Sequence, residues 1–109
     1  MKRGQDQINA FLGRETEFEG KLTFQGTVRI DGRFKGEISS EGTLIVGETS
    51  VVECEIRCSR ILISGEVRGN IVAQERIEIH APGKVFGNMQ SPVVVMSEGV
   101  IFEGHCRMQ

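Results

Sequence analysis

The sequence has few of the residues that build metal sites, disulfide frameworks or membrane spans. Its 109 residues include no tryptophan or tyrosine, two prolines, two histidines and three cysteines. A zinc site needs three or four convergent ligands, and three unevenly spaced cysteines do not make the framework of a small secreted domain. No apolar run approaches the ~20 residues of a membrane-spanning helix. These shortages argue against a metalloenzyme, a disulfide-rich secreted domain and a helical membrane protein.

The charge pattern also lacks a dominant sign. The formal net charge is −2, and acidic and basic side chains are interspersed. A nucleic-acid-binding domain concentrates basic residues on one face, so we expect no nucleic-acid partner. The glycines are spread along the chain instead of clustering in a phosphate-binding loop, and we expect no nucleotide. The N-terminal residues are polar through Asn9, without the apolar core of a signal peptide, which predicts a cytoplasmic location.

What the sequence does contain is a repeated motif, apolar-x-Gly-x-apolar. Its six copies lie 15 to 18 residues apart, at 18–22, 34–38, 52–56, 67–71, 85–89 and 102–106. Only the third copy departs from the pattern, with Cys54 in the place of the glycine. An apolar pair precedes each later copy, the first being Val28 and Ile30. A period near 17 with alternation inside each copy indicates one small β unit stacked on itself.

We therefore predict an all-β protein, a β-helix (solenoid) of about six coils with three short strands per coil. Residues 16–108 form this domain, and residues 1–15 form a flexible N-terminal tail. The outward column of the motif supports the register, because its charges alternate in sign until a phenylalanine interrupts them. That column is Glu19, Lys35, Glu53, Arg68, Phe86 and Glu103. The unequal intervals between apolar positions depart from the hexapeptide period of left-handed β-helices, which favours a right-handed helix.

The layout, and the stretch 18–38 in particular, resembles the bactofilins, and the resemblance spans about residues 16–108. It implies a bacterial cytoskeletal protein with a right-handed β-helical core that assembles end to end into filaments without nucleotide. It further implies a scaffold that positions cell-wall enzymes or other recruited proteins, in some members at the inner face of the cytoplasmic membrane through a short N-terminal segment. Unlike that pattern, this sequence has a very short C-terminal tail and no proline-rich flank.

Two other functions are open to a β-helix. One is a monomeric binding scaffold with capped ends. The other is a left-handed β-helical transferase or a γ-type carbonic anhydrase, which the irregular period and the scarcity of histidine disfavour. His80 and His105 are read as surface residues, and no carboxylate pair stands out as an acid–base couple. We predict no catalytic residue, no cofactor and no metal ligand.

The two ends of the solenoid are the predicted polymerisation interfaces. The first and last coils of a β-helix expose unpaired backbone and an open core, and the last coil here is followed directly by Gln109. Large aromatic rings can fill an end-to-end joint. The C-terminal interface comprises Phe102, Val94, Met96, Cys106 and Met108, and the N-terminal interface comprises Phe18, Leu22 and Phe24.

Two apolar groups lie outside the core pattern. Ile45, Leu62 and Val95 share one outward column, interrupted by Glu78, and are read either as a lateral contact between filaments or as incidental exposure. Ile8, Phe11 and Leu12 follow helical i, i+3, i+4 spacing in the tail. They are read either as a turn folded over the first coil or as a membrane attachment site, helped by nearby basic residues.

The cysteines share the phase of the apolar columns. Cys54, Cys58 and Cys106 are therefore expected to point inward and to be unreactive, since a buried cysteine behaves as a small hydrophobic residue.

Overall fold

The computed structural model describes residues 8–13 and 15–108. In this part of the chain the regular elements are ten β-strands, and no helix occurs. The strands are β1 (Ile8–Leu12), β2 (Glu17–Phe24), β3 (Thr27–Ile30), β4 (Arg33–Ser40), β5 (Thr43–Val46), β6 (Val51–Ile63), β7 (Glu66–Ile79), β8 (Lys84–Gln90), β9 (Val94–Met96) and β10 (Ile101–Arg107).

All of these strands pair in parallel with the strand one coil away. The six motif copies stack in the predicted register, so that Gly20 aligns with Gly36 and Gly87 with Gly104. The apolar pairs form a second stack, made of β1, β3, β5, the ends of β6 and β7, and β9. The all-β solenoid is confirmed, with about five turns against the predicted six, because six stacked motif strands enclose five full intervals.

The strands within a coil are fewer and longer than the predicted three. Most coils have one motif strand of seven or eight residues and one shorter strand, and β6 and β7 run through both without a break. Gly36 at the motif centre has φ +131°, a conformation that glycine adopts far more readily than other residues. The backbone can therefore bend at this point while the pairing to Gly20 and Cys54 continues. Two of the predicted short strands are thereby joined into one.

The inward side chains form a dry apolar core along the solenoid axis. In the middle coils nearly all of them are 0–2% exposed, for example Val52, Ile61, Val67 and Ile77. The outward charge column has the predicted register, and Lys35 Nζ lies 3.8 Å from a carboxylate oxygen of Glu53. Parallel in-register stacking thus aligns each residue with the residue at the equivalent position of the next coil.

The N-terminal segment differs from the sequence interpretation. Residues 8–12 form a strand, β1, whose backbone pairs in parallel with β3, with Phe11 aligned to Arg29 and Leu12 to Ile30. The helical spacing of the apolar residues was therefore misleading. An isolated helical turn is unstable in water, whereas the free edge of β3 offers a ready set of hydrogen bonds. The sheet thus begins inside the segment 1–15, whose first seven residues lie outside the described part of the chain.

Candidate functional site

The described residues bring together no obvious chemical centre. Among residues 8–13 and 15–108, no cluster of three or more histidine, cysteine or acidic side chains is arranged to hold a metal ion. The same residues contain no helix long and apolar enough to cross a membrane. His80 has both ring nitrogens engaged, since Nδ1 lies 3.0 Å from Ser97 Oγ and Nε2 lies 3.0 Å from Glu78 Oε1. The contact with Ser97 joins two neighbouring coils, and the contact with Glu78 lies within one coil.

Two of the three cysteines are core residues, as predicted. Burial raises the pKa of both the Cys54 and Cys58 thiols to about 12, and the charge of Glu55 adds to the effect at Cys54. Both thiols are therefore protonated and unreactive at neutral pH. The prediction for Cys106 is wrong, because this side chain is exposed. It shares the inward phase, but in the last coil no described residue lies over it.

The C-terminal end of the solenoid is a free sheet edge. Among the described strands, β10 pairs only with β8, and β9 pairs only with β7. Their outer backbone groups are therefore available to another strand. Large apolar side chains surround this edge, at 40–59% exposure: Val93, Met96, Ile101 and Met108. Unpaired strand edges with apolar neighbours are templates for further strand addition.

The inward side chains of the last coil are more exposed than their counterparts one coil earlier. Phe102 and Cys106 stack on Val85 and Met89, which are 0% and 2% exposed. Phe102 itself is only half-buried and packs against the end of the core, as does Val94. All five residues predicted for the C-terminal interface thus lie in the last coil.

The N-terminal end is open in the same way on its motif side. Strand β2 pairs only with β4 among the described strands, and Phe18 is 38% exposed. Leu22 and Phe24 are half-buried against the core. The three residues predicted for this interface therefore lie together in the first motif strand.

Sequence reasoning missed two apolar residues at the C-terminal end, Val93 and Ile101. Ile101 occupies an outward column that holds Glu66 and Lys84 in the two coils before it. Val93 follows a column that holds Arg60 and Arg76. The available signal was an apolar residue that follows two charged residues in its column.

The predicted lateral residues also share one column. Ile45 aligns with Leu62, Leu62 with Glu78, and Glu78 with Val95. All three apolar side chains are half-buried and alternate along their strands with core residues, so they face outward.

Comparisons with known proteins agree with this architecture. Residues 10–107 match the bactofilin family, described as polymer-forming cytoskeletal. The chain is 31% identical to the bactofilin BacO of Myxococcus xanthus over 100 residues, covering 92% of this chain and 79% of that protein. It is 32% identical to BacP of the same organism, again over 92% of this chain but only 42% of the relative.

A solved structure is similar over nearly its whole length. The bactofilin of Thermus thermophilus, determined by cryo-EM in double helical filaments, superimposes with a TM-score of 0.86 at 31% sequence identity. The match covers 92% of this chain and 99% of the Thermus chain. The family is a structural cytoskeletal one and not a family of enzymes. The open-ended parallel solenoid described above is the core of a bactofilin, and the chain belongs to the bactofilin family of polymer-forming cytoskeletal proteins.

Proposed function

We propose that this protein polymerises by joining the ends of its solenoid, without nucleotide, into filaments. The observation that carries the proposal is the change in burial along each inward column. Phe34 is 1% exposed whereas Phe18, one coil nearer the end, is 38% exposed. At the other end, Val85 is fully buried beneath the half-exposed Phe102. An additional coil from another copy would cover both end positions.

Two kinds of interaction would stabilise such a joint. The unpaired edges of β2 and β10 can exchange backbone hydrogen bonds with a neighbouring strand, as every internal motif strand does. The exposed apolar side chains would leave water, at about 25 cal/mol for each Å² of apolar surface buried. The same end-coil residues therefore supply both the directionality and the free energy of association.

The relative from Thermus thermophilus supports the proposal, because it forms filaments and has this fold over its whole length. A role as a scaffold for cell-wall enzymes or other recruited proteins, on the cytoplasmic side of the membrane, belongs to the same proposal. Membrane attachment through Ile8, Phe11 and Leu12 stays a prediction, for residues whose backbone forms β1.

Electron microscopy and sedimentation of the purified protein, without ATP or GTP, test the proposal. Wild-type protein is expected to form filaments, and Phe102→Arg is expected to stay monomeric because it buries an unpaired charge in the joint. Phe86→Arg is the matched control: Phe86 is an outward residue one coil earlier, in a column between Arg68 and Glu103. It should assemble normally.

Each contrary result has a distinct meaning. A wild-type protein that remains monomeric at high concentration would favour the capped binding scaffold. Normal filaments from Phe102→Arg would exclude this joint. Loss of filaments in both arginine variants would point to a general effect of added charge instead of a specific end contact.

A further inference from the structure

A chain of hydrogen bonds between polar side chains connects the last two coils on the outer surface. Glu78 lies at the end of β7, His80 directly follows that strand, and Ser97 directly follows β9 in the next coil. His80 Nδ1 lies 3.0 Å from Ser97 Oγ, and His80 Nε2 lies 3.0 Å from Glu78 Oε1. Arg76 extends the chain, since its Nε lies 3.0 Å from Glu78 Oε2. A hydroxyl, an imidazole and a carboxylate in this order are the components of a serine nucleophile with its base.

The partners of His80 determine which of its ring nitrogens carries the proton. The ionised carboxylate of Glu78 can only accept hydrogen bonds, so His80 Nε2 holds the hydrogen of that contact. In the neutral imidazole Nδ1 is then an acceptor, and the hydroxyl of Ser97 donates to it. His80 is therefore oriented to take the proton from Ser97 Oγ when that oxygen attacks an electrophile. Glu78 is a positioning residue, which holds the ring and stabilises the positive charge that the ring acquires.

The site is accessible from solvent, and its surroundings favour one class of substrate. The side chain of His80 is 45% exposed, and Ser97 is half-buried. Val95, the counterpart of Glu78 in the last coil, is half-buried two residues before Ser97. It offers an apolar contact beside the hydroxyl, which suits a small apolar acyl group. Glu78 and the exposed Glu98 place negative charge on both sides of the serine, which disfavours anionic substrates.

The turn that follows Ser97 contains unengaged backbone donors. The equivalent turn of the previous coil is closed by a hydrogen bond from Gly83 N to His80 O at 2.8 Å. Within the described part of the chain no such bond closes the turn at Ser97, and the backbone N–H groups of Glu98 and Gly99 donate to no described residue. Backbone N–H groups near the nucleophile are common donors to the oxyanion of acyl transfer. These two are thus available to a substrate oxygen at Ser97.

We propose that Ser97 is a nucleophile that accepts the acyl group of small, uncharged activated esters or thioesters. Its Oγ attacks the carbonyl carbon while the Oγ proton moves to His80 Nδ1. The tetrahedral oxyanion then collapses, the bond to the alcohol or thiol breaks, and the leaving group takes the proton from His80. Water slowly hydrolyses the resulting ester on Ser97, with the same imidazole as base, and releases the acid. The inference assigns chemistry to residues for which the sequence predicted none, and it does not depend on filament formation.

Labelling of the 109-residue protein with a fluorophosphonate tests the nucleophile. This reagent phosphonylates activated serines with loss of fluoride, and peptide mass spectrometry locates the adduct. Ser97 is expected to react about a hundredfold faster than Ser59, the gain typical of a general base. Ser59 is the internal control, since its hydroxyl donates to the backbone oxygen of Glu41 at 2.9 Å and not to a base. p-Nitrophenyl acetate, followed by the same peptide mapping, should acetylate Ser97 with the same preference.

Substitution of the two partner residues tests the hydrogen-bonded chain. His80→Ala should slow the labelling of Ser97 about a hundredfold, and added imidazole should restore part of the rate because it can take the proton in place of the side chain. Glu78→Ala should slow labelling about tenfold, whereas Glu78→Gln should keep most of the rate, since its carbonyl oxygen still accepts from His80 Nε2. A merely structural role for these residues would give neither form of rescue.

Labelling is measured on both the wild-type and the Phe102→Arg proteins, so that contacts of the last coil within filaments do not conceal Ser97. Equal rates at Ser97 and Ser59 in both proteins would overturn the proposal. It would equally be overturned by a His80→Ala variant that reacts as fast as the wild type, or by one that stays slow when imidazole is added. Fast labelling of Ser97 that needs His80 and recovers with imidazole would support it.

Discussion

Phe18 and Phe34 stack with ring centroids 5.0 Å apart and an interplanar angle of 15°, yet one ring is 38% exposed and the other 1%. They occupy the same motif position in successive coils. The rings differ because Phe34 has coils on both sides and Phe18 on one. A terminal residue of this solenoid is therefore a core residue that lacks its last neighbour.

That difference predicts unequal effects of truncation. In the monomeric Phe102→Arg background, Phe34→Ala should lower the free energy of unfolding by about 3–5 kcal/mol, because it leaves a cavity in the core. Phe18→Ala should cost about 1–2 kcal/mol, the value of part of its burial and its ring contact. Urea denaturation measures both values. Equal losses would show that Phe18 is as enclosed as Phe34.

The glycines at the motif centre predict a second contrast. A Cβ on Gly87 would lie 1.9 Å from the carbonyl oxygen of Gly69, whereas a Cβ on Gly20 would meet only a ring carbon of Phe18 at 3.7 Å. Both glycines have φ +140°, so alanine is strained at either position. Gly87→Ala should therefore be about 1–3 kcal/mol more destabilising than Gly20→Ala, by the cost of overpacking. Thermal and urea unfolding of the two variants in the same monomeric background provide the measurement.

Thiol labelling distinguishes the core from the open end. The pKa values of Cys54 and Cys58 rise from 9.0 to about 12, which lowers their thiolate fraction at pH 8 by about a thousandfold. In monomeric protein a bulky maleimide should modify the exposed Cys106 rapidly and the other two at least about a hundredfold more slowly. Polymerisation should then protect Cys106, which lies in β10 at the C-terminal end. Rapid modification of Cys54 or Cys58 in the folded protein would contradict the core assignment.

Lipid attachment through the N-terminal residues predicts a difference between truncated proteins. Filaments of the 109-residue protein should float with anionic phosphatidylglycerol vesicles in a density gradient, and those of a variant lacking residues 1–14 should not, because one short apolar segment binds weakly and depends on avidity. A variant lacking residues 1–7 keeps β1 and should bind at an intermediate level, since it loses Lys2 and Arg3 but keeps the apolar residues of the strand. Equal flotation of the undeleted and 1–14-deleted filaments would exclude the membrane role.

Much of the fold followed from spacing alone. The motif register by itself predicts that Glu19 lies beside Lys35 and Arg68 beside Phe86, and the structure has both alignments. The phase of Cys54 and Cys58 predicts that both lie in the core, and both are buried. Alternation and period suffice for such assignments because, in a parallel in-register stack, each residue's neighbours are its counterparts one repeat away.

At the N-terminal strand, the spacing of apolar residues predicted the wrong backbone conformation. Ile8, Phe11 and Leu12 have a helical spacing, but the edge of β3 determines the conformation of their backbone. Five residues carry too little local information to oppose a row of available hydrogen bonds. The same limit applies to Cys106, whose phase is that of a core residue and whose position at the end leaves it exposed.

The sequence by itself determined the repeating unit, the inward and outward phases, and which residues stack in each column, because strand alternation and a near-constant period are local properties. Only the tertiary structure decided which columns end uncovered and how β1 continues the sheet. Exposure at an edge depends on the presence or absence of a neighbouring coil, and no single repeat contains that information.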